Sequence, residues 1–189
     1  VESKFFDETY ATIPDLDGKT IAITGTTSGT GGILADRLAA KGARIIVLNR
    51  PSQRAQAALE RTKAAAKDPA LVAHVDCDLQ SFKSVRAAAA AVIALGHPLD
   101  ALVNNAGVMG LKDVATEDGC DVQMQTNHLS HFLLTSLLFP LIKQAADNNG
   151  QARIVQHSSG MRLYAGALDA KYLGKNGGNL GGNDSAGGF

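Results

Sequence analysis

Short apolar runs alternate along this chain with stretches of helical periodicity, and that alternation limits the fold more than any other feature of the sequence. The first run, residues 19–24 (KTIAIT), is β-branched and bounded by Gly18 and Gly25, so it predicts a strand. A helix is predicted over 28–41, with Leu34 and Leu38 one turn apart and Gly42 as its stop. Residues 43–48 (ARIIVL) predict a second strand. Pro51 is expected to open a helix that places Ala55, Ala58, Leu59 and Thr62 on one face as far as about Lys67. A third strand is predicted over 71–75, then a helix capped by Ser81 that carries Phe82, Val85, Ala89 and Val92 and ends at Gly96. A fourth strand is predicted over 99–103. A long helix from Gly119 to about Ala146, with Leu129, Leu133 and Leu137 on one stripe, precedes a fifth strand over 153–156.

Strands this continuously apolar are buried on both faces, which implies a parallel sheet with helices on each side. Right-handed crossovers then give an α/β fold, a Rossmann-type doubly wound sheet. The expected organisation is an N-terminal extension over 1–16, a dinucleotide-binding domain over 17–160 and a glycine-rich loop or insertion over 161–189. The last part holds seven glycines between Gly174 and Phe189 and is expected to stay partly disordered, because so little side chain cannot repay its ordering entropy. The chain has 189 residues, enough for one domain with a core. Eighteen Lys+Arg balance eighteen Asp+Glu, so no bulk positive field draws nucleic acid or an anionic membrane. The longest apolar stretch, 132–142, is short and interrupted by Thr135, Ser136 and Pro140, so no membrane-spanning helix is expected. Cys77 and Cys120 have no metal-ligand spacing, and no metal is expected. Residue 1 is Val, which suggests an N-terminus that is processed or otherwise incomplete, and ending on the glycine-rich stretch suggests that the chain continues beyond 189.

The segment between the first strand and first helix reads Thr24-Gly25-Thr26-Thr27-Ser28-Gly29-Thr30-Gly31. A tight turn needs glycine, and a phosphate approaches backbone only where no Cβ stands in the way. The helix N-terminus then offers unpaired N–H groups and the positive end of a dipole. Thr26, Thr27 and Ser28 add hydroxyl donors. The spacing is G-x-x-x-G-x-G, and a glycine turn that binds nothing is the plain alternative.

That loop resembles the cofactor loop of the short-chain dehydrogenases/reductases, with Thr30 where the family usually has a branched apolar residue. Further motifs match the family in order: Asp78-Leu79 after the third strand, Asn104-Asn105-Ala106-Gly107 after the fourth, Asn127 in the long helix, and Arg153-Ile154-Val155-Gln156-His157-Ser158-Ser159 at the fifth. The resemblance covers roughly residues 17 to 160. It implies an oxidoreductase that moves hydride between a nicotinamide cofactor and a carbonyl or alcohol substrate. The implied cofactor-binding residues are Gly25, Thr27, Ser28, Thr30, Gly31, Arg50, Asp78, Leu79, Asn105, Ala106 and Gly107; the implied catalytic residues are Ser159 and Asn127. Ser159 would hydrogen-bond the substrate carbonyl, and Asn127 would hold a water in a proton relay. Asp78 is equally well placed as a helix-start carboxylate, and Asn104 has a structural role at least as readily as a contact role. At the end of the second strand, Asn49-Arg50 replaces the acid of an NAD-selective site. An arginine pairs with a 2′-phosphate, so NADP(H) is favoured over NAD(H), with a solvated surface arginine as the alternative. The histidines, His128 and His131 included, read as structural or surface groups, and Cys77 as a packing residue.

The family's proton donor is a tyrosine followed four residues later by a lysine. Tyr172 is followed at that spacing by Asn176 and Tyr164 by Leu168, so the 189 residues contain no Y-x-x-x-K. In a branch resembling retinol dehydrogenases and light-dependent protochlorophyllide reductases, an insertion separates the serine from the tyrosine. The 127–134 stretch (NHLSHFLL) also resembles that branch, which hints at a lipophilic substrate. On this reading the Tyr/Lys helix lies beyond residue 189 and the 189-residue segment alone is inactive. The alternative is a non-catalytic nucleotide-binding or structural subunit of a larger assembly. A homo-oligomer is one expected state, and cytoplasm or an organelle stroma or matrix the expected compartment.

Overall fold

The computed structural model describes residues 6–112, 114–163 and 173–175. Tyr164, Tyr172, Asn176 and most of the expected 161–189 insertion lie outside the described residues. The chain forms β1 (Thr20–Thr24), α2 (Gly29–Ala40), β2 (Arg44–Asn49), α3 (Gln53–Ala65), β3 (Val72–Asp76), α4 (Phe82–Ala94), β4 (Ala101–Asn104) and β5 (Arg153–Gln156), preceded by a short α1 (Phe6–Thr12). Between β4 and β5 runs one helical stretch, Val122–Asn149, in which a π-helical turn, Gln125–Leu129, separates α5 (Val122–Met124) from α6 (Ser130–Asn149). The strands pair in parallel in the order β3-β2-β1-β4-β5, the doubly wound arrangement.

The continuous apolar strands divide their side chains between two cores. Ile21, Ile23, Ile45 and Val47 pack with Ala35, Ala39 and Leu59 on one face. Ala22, Ile46, Leu48 and Leu102 pack with Val85, Ala89, Val92, Leu134 and Leu138 on the other. Successive strand residues point to opposite faces, so a run buried on both sides is apolar throughout. In the N-terminal extension, the Phe6 and Tyr10 rings stack, and the Arg37 guanidinium of α2 lies 5.2 Å and 5.4 Å from their centres.

Several expectations need correction. Pro51 precedes α3 rather than opening it; Ser52 is the cap, and its hydroxyl accepts from Ala55 N–H at 3.1 Å. The long helix begins at Val122, not Gly119, because the Asp121 carboxylate caps it by accepting from Gln123 and Met124 N–H. Its buried stripe is Leu134, Leu138, Ile142 and Ala145, while Leu133 and Leu137 pack at the margin. The π turn adds a residue to the helical repeat and shifts that register. Pro140 does not end the helix, since it sits on the exposed side. The fifth strand is not buried: all four β5 residues are exposed, Ile154 at 39% and Val155 at 44%.

The run Val122–Asn149 is, by length and composition alone, long and apolar enough to cross a membrane, contrary to the expectation from 132–142. Its core stripe nevertheless packs on the sheet and α4. Leu138→Ala is therefore expected to cost about 2–5 kcal/mol in urea unfolding. Phe139→Ala, at a residue 53% exposed, should stay within about 0.5 kcal/mol.

Candidate functional site

In a parallel sheet whose order reverses between β1 and its two neighbours, the strand tips diverge at the carboxyl edge and leave a crevice. The loop after β1 lies there. Its Gly25 N–H donates to the Leu48 carbonyl at 3.0 Å. Thr26 is fully buried and held from two sides. Its N–H donates to Asn49 Oδ1 and its hydroxyl accepts from Asn49 Nδ2, both at 2.8 Å, while Arg61 donates to its carbonyl at 3.1 Å. Arg61 is itself aimed by Asp36, at 2.7 Å. With Thr26 fixed inward, Thr27 and the exposed Ser28 lead into α2. Ser28 is the N-cap of α2 yet makes no side-chain cap bond, where Ser52 and Ser81 cap α3 and α4. The first-turn amides of α2 thus lack the acceptor their counterparts have, which suits them to an anion.

Two glycines let the β1 loop and the β4 loop touch. Gly25 has φ +72°, and a Cβ on it would lie 2.7 Å from Ala106 Cα. A Cβ on Gly31 would collide with the Asn105 amide nitrogen. That nitrogen donates to the Thr24 and Gly25 carbonyls, at 2.9 Å and 3.1 Å, and so ties the two loops together. Gly31→Ala is expected to break this tie and abolish nucleotide binding measured by fluorescence titration. Gly96→Ala, at a positive-φ position away from the cleft, would lower stability only.

Gly25, Thr27, Arg50, Asp78, Leu79, Ala106 and Gly107 line one cleft of about 290 Å³. Ser28, Thr30, Gly31 and Asn105 do not line it: Ser28 and Thr30 are at the exposed helix start, and the Asn105 side chain faces the β1 loop and His157. Asp78 Oδ1 accepts from Gln80 N–H at 2.9 Å. Asn104 is buried and donates to Thr135 at 2.9 Å, a structural contact. Asn127 is held by the β4 loop: its Oδ1 accepts from Val108 N–H and its Nδ2 donates to the Val108 carbonyl, both at 2.8 Å. Ser159 is exposed, just beyond β5; between them the His157 N–H donates to the Asn104 carbonyl at 3.0 Å.

Sequence reasoning missed Asn49, Ser52, Arg54, Gln80, Val108 and Thr126, which also line the cleft. Arg54 lies in the first turn of α3 and reaches Ser28 Oγ at 3.4 Å. The Thr126 hydroxyl is buried and has no hydrogen-bond partner among the described residues, and Thr126 borders the cleft. An orphaned polar atom and a cradle that a Cβ would fill both fit a polar, phosphate-bearing ligand. A second cleft, about 310 Å³, lies at the amino-terminal edge of the sheet around the Lys19–Asp100 ion pair. Ligands of such sheets bind at the carboxyl edge, so the first is the candidate site.

Burial, with Asp78 nearby, pushes the Cys77 thiol up to about 12, so it packs and does not act as a thiolate. His131 is buried at 3%, neither a surface group nor solvated, and burial lowers its pKa below the ordinary imidazole value. A lowered native value means the unfolded chain takes up the proton first. His131 therefore contributes stability in full above about pH 6.5 and loses it as pH falls below that value. Unfolding midpoints should drop between about pH 6.5 and pH 5, and less so in His131→Asn.

The sequence matches the short chain dehydrogenase family over residues 19–175. The chain belongs to that family. Among its relatives is human retinol dehydrogenase 13, 41% identical over 165 residues, 84% of this chain and 45% of that one. Another is short-chain dehydrogenase TIC 32 A, chloroplastic, of Brassica napus, 40% identical over 155 residues, 77% of this chain and 45% of that one. The solved Pseudomonas aeruginosa RhlG/NADP active-site complex is similar in fold, with a TM-score of 0.62 at 30% identity, over 74% of this chain and 52% of that one. The chain spans about half the length of the relatives it matches. The likeness to retinol dehydrogenases agrees with the branch suggested by the 127–134 stretch.

Proposed function

We propose that this chain forms the NADP(H)-binding half of an oxidoreductase that transfers hydride between nicotinamide and a carbonyl or alcohol substrate. The observation that carries this reading is the cleft itself. The side-chain-free wall of Gly25 and the two arginines Arg50 and Arg54 line one space at the carboxyl edge of the sheet, together with Thr27, which leads into the uncapped first turn of α2. Family membership supports a nicotinamide cofactor, and solved relatives include NADP and NAD complexes.

When bound, the nicotinamide supplies or accepts the hydride. The α2 amides and the Thr27 and Ser28 hydroxyls would hold the pyrophosphate. Asp78 Oδ would accept from the adenine amino group, with Leu79 beside it. Ala106 and Gly107 admit the ribose because their side chains are small or absent. Ser159 would orient the substrate oxygen, and the backbone at Asn127 would hold a relay water. Asn49, the strand-end residue where an acid would select NAD, is buried and bonded to Thr26, so no carboxylate repels a 2′-phosphate there. Arg50 and Arg54 supply the positive charge instead.

A lipophilic carbonyl or alcohol is the substrate class that the retinol dehydrogenase relatives favour, and an organelle stroma suits the chloroplastic one. Titration with both cofactors tests this reading. NADP(H) should bind more tightly than NAD(H), and Arg50→Glu with Arg54→Glu should weaken NADP(H) roughly 10- to 100-fold while leaving NAD(H) nearly unchanged. Tighter binding of NAD(H) than NADP(H) by the unaltered chain would overturn the cofactor assignment.

A further inference from the structure

Thr24 Oγ1 sits at the tip of β1 with four polar neighbours. The N–H groups of Asn105 and Ala106 each donate to it at 3.0 Å, His131 Nε2 lies 2.9 Å away, and the Val103 carbonyl lies at 3.5 Å. Thr24 is 1% exposed and His131 3%, so water does not share in this cluster's hydrogen bonding. His131 Nδ1 in turn lies 3.1 Å from the Asn127 carbonyl, at the π turn.

Donor and acceptor rules settle the proton positions. A carbonyl oxygen only accepts, so Nδ1 must carry the proton. In the neutral ring Nε2 then offers a lone pair. The Thr24 hydroxyl has one proton and two lone pairs. The lone pairs take the Asn105 and Ala106 N–H groups, and the proton goes to Nε2. Every polar group in the cluster is satisfied. The opposite tautomer would set a lone pair against the Asn127 carbonyl and bring a third donor onto Thr24 Oγ1.

We propose that His131 is a positioning residue, locked as the Nδ1–H tautomer, which orients the Thr24 hydroxyl and thereby fixes the Asn105–Gly107 loop against the glycine loop and Asn127. The proposal deepens the reading of this cleft as a dinucleotide site. Ala106 is the surface on which Gly25 rests, and Asn127 holds Val108 from the other side. Without Nε2, the Thr24 hydroxyl turns to the distant Val103 carbonyl, and the hydrogen bonds it accepts from the loop amides lose their direction. His131 does not line the cleft, so its effect passes through Thr24 and Asn127.

Nitrogen-15 spectra of the imidazoles in the full chain, without any cofactor, test the first half. At about pH 7 His131 should show a single Nδ1–H tautomer with Nε2 shifted as an acceptor, and Thr24→Val should remove that shift. An Nε2–H tautomer, or a mixture of both, would overturn the proposal. NADP(H) titration tests the second half. Thr24→Val and His131→Leu should each weaken binding roughly tenfold, and the double variant should be little weaker than either single one. Thr24→Ser, which keeps the hydroxyl, should bind like the unaltered chain. Additive losses, or a Thr24→Ser as weak as Thr24→Val, would overturn it. If the unaltered chain binds no NADP(H), the functional reading fails by itself, and the tautomer spectrum still decides the role of His131. If a variant fails to fold, the spectrum of the unaltered chain decides in the same way.

Discussion

The contact between the loops that follow β1 and β4 is the constraint on which the rest of the site depends. Gly25 lies against the Ala106 backbone, and Gly31 leaves room for the Asn105 amide to bridge two carbonyls of the β1 loop. Side chains at either glycine would pry β1 and β4 apart at their tips. These are the central strands, each flanked on both sides, so a shift there would pass into both hydrophobic cores. The same lack of side chains leaves Gly25 as a bare backbone wall of the cleft. One steric requirement thus serves packing and recognition together.

Around that contact, the polar groups fall into two sets. Thr24, Thr26, Asn49, Asn104 and His131 are buried and bonded to backbone or to one another, and they hold the frame. Thr27, Ser28, Arg50 and Arg54 are at least partly accessible, and Thr27, Arg50 and Arg54 line the cleft. A chain with no net charge can still concentrate positive charge at one cleft rim, and Arg50 and Arg54 do so here.

Much of the fold was legible because its signals are local. The apolar strand runs, the cap at Ser81 and the glycine stops report on neighbours within one turn, and the strand order follows from handedness once βαβ units are recognised. The glycine loop was legible for the same reason, whereas Asp78-Leu79 was read from the family resemblance. The buried stripe of α6 was misread by one residue, because a π turn leaves no clear mark in the sequence. Asn49, Thr126 and His131 were not legible as site groups. Asn49 meets Thr26 from 23 residues away and His131 meets Thr24 from 107, while Thr126 Oγ1 has no partner among the described residues, and no local pattern encodes such placements. Asn105 was expected among the cofactor-binding residues, and its side chain ties the β4 loop to the carbonyls of Thr24 and Gly25.

The central claim is that the backbone amides opening α2 are a phosphate cradle. Amide chemical-shift mapping during an NADP(H) titration tests it most directly, since it reads each N–H separately and needs no turnover. The account predicts large, saturable shifts from Gly25 to Gly32 and at Ala106 and Gly107, with little change around Asp100 at the opposite sheet edge. Shifts centred on the Asp100 cleft, or none at the α2 N-terminus at saturating cofactor, would contradict it.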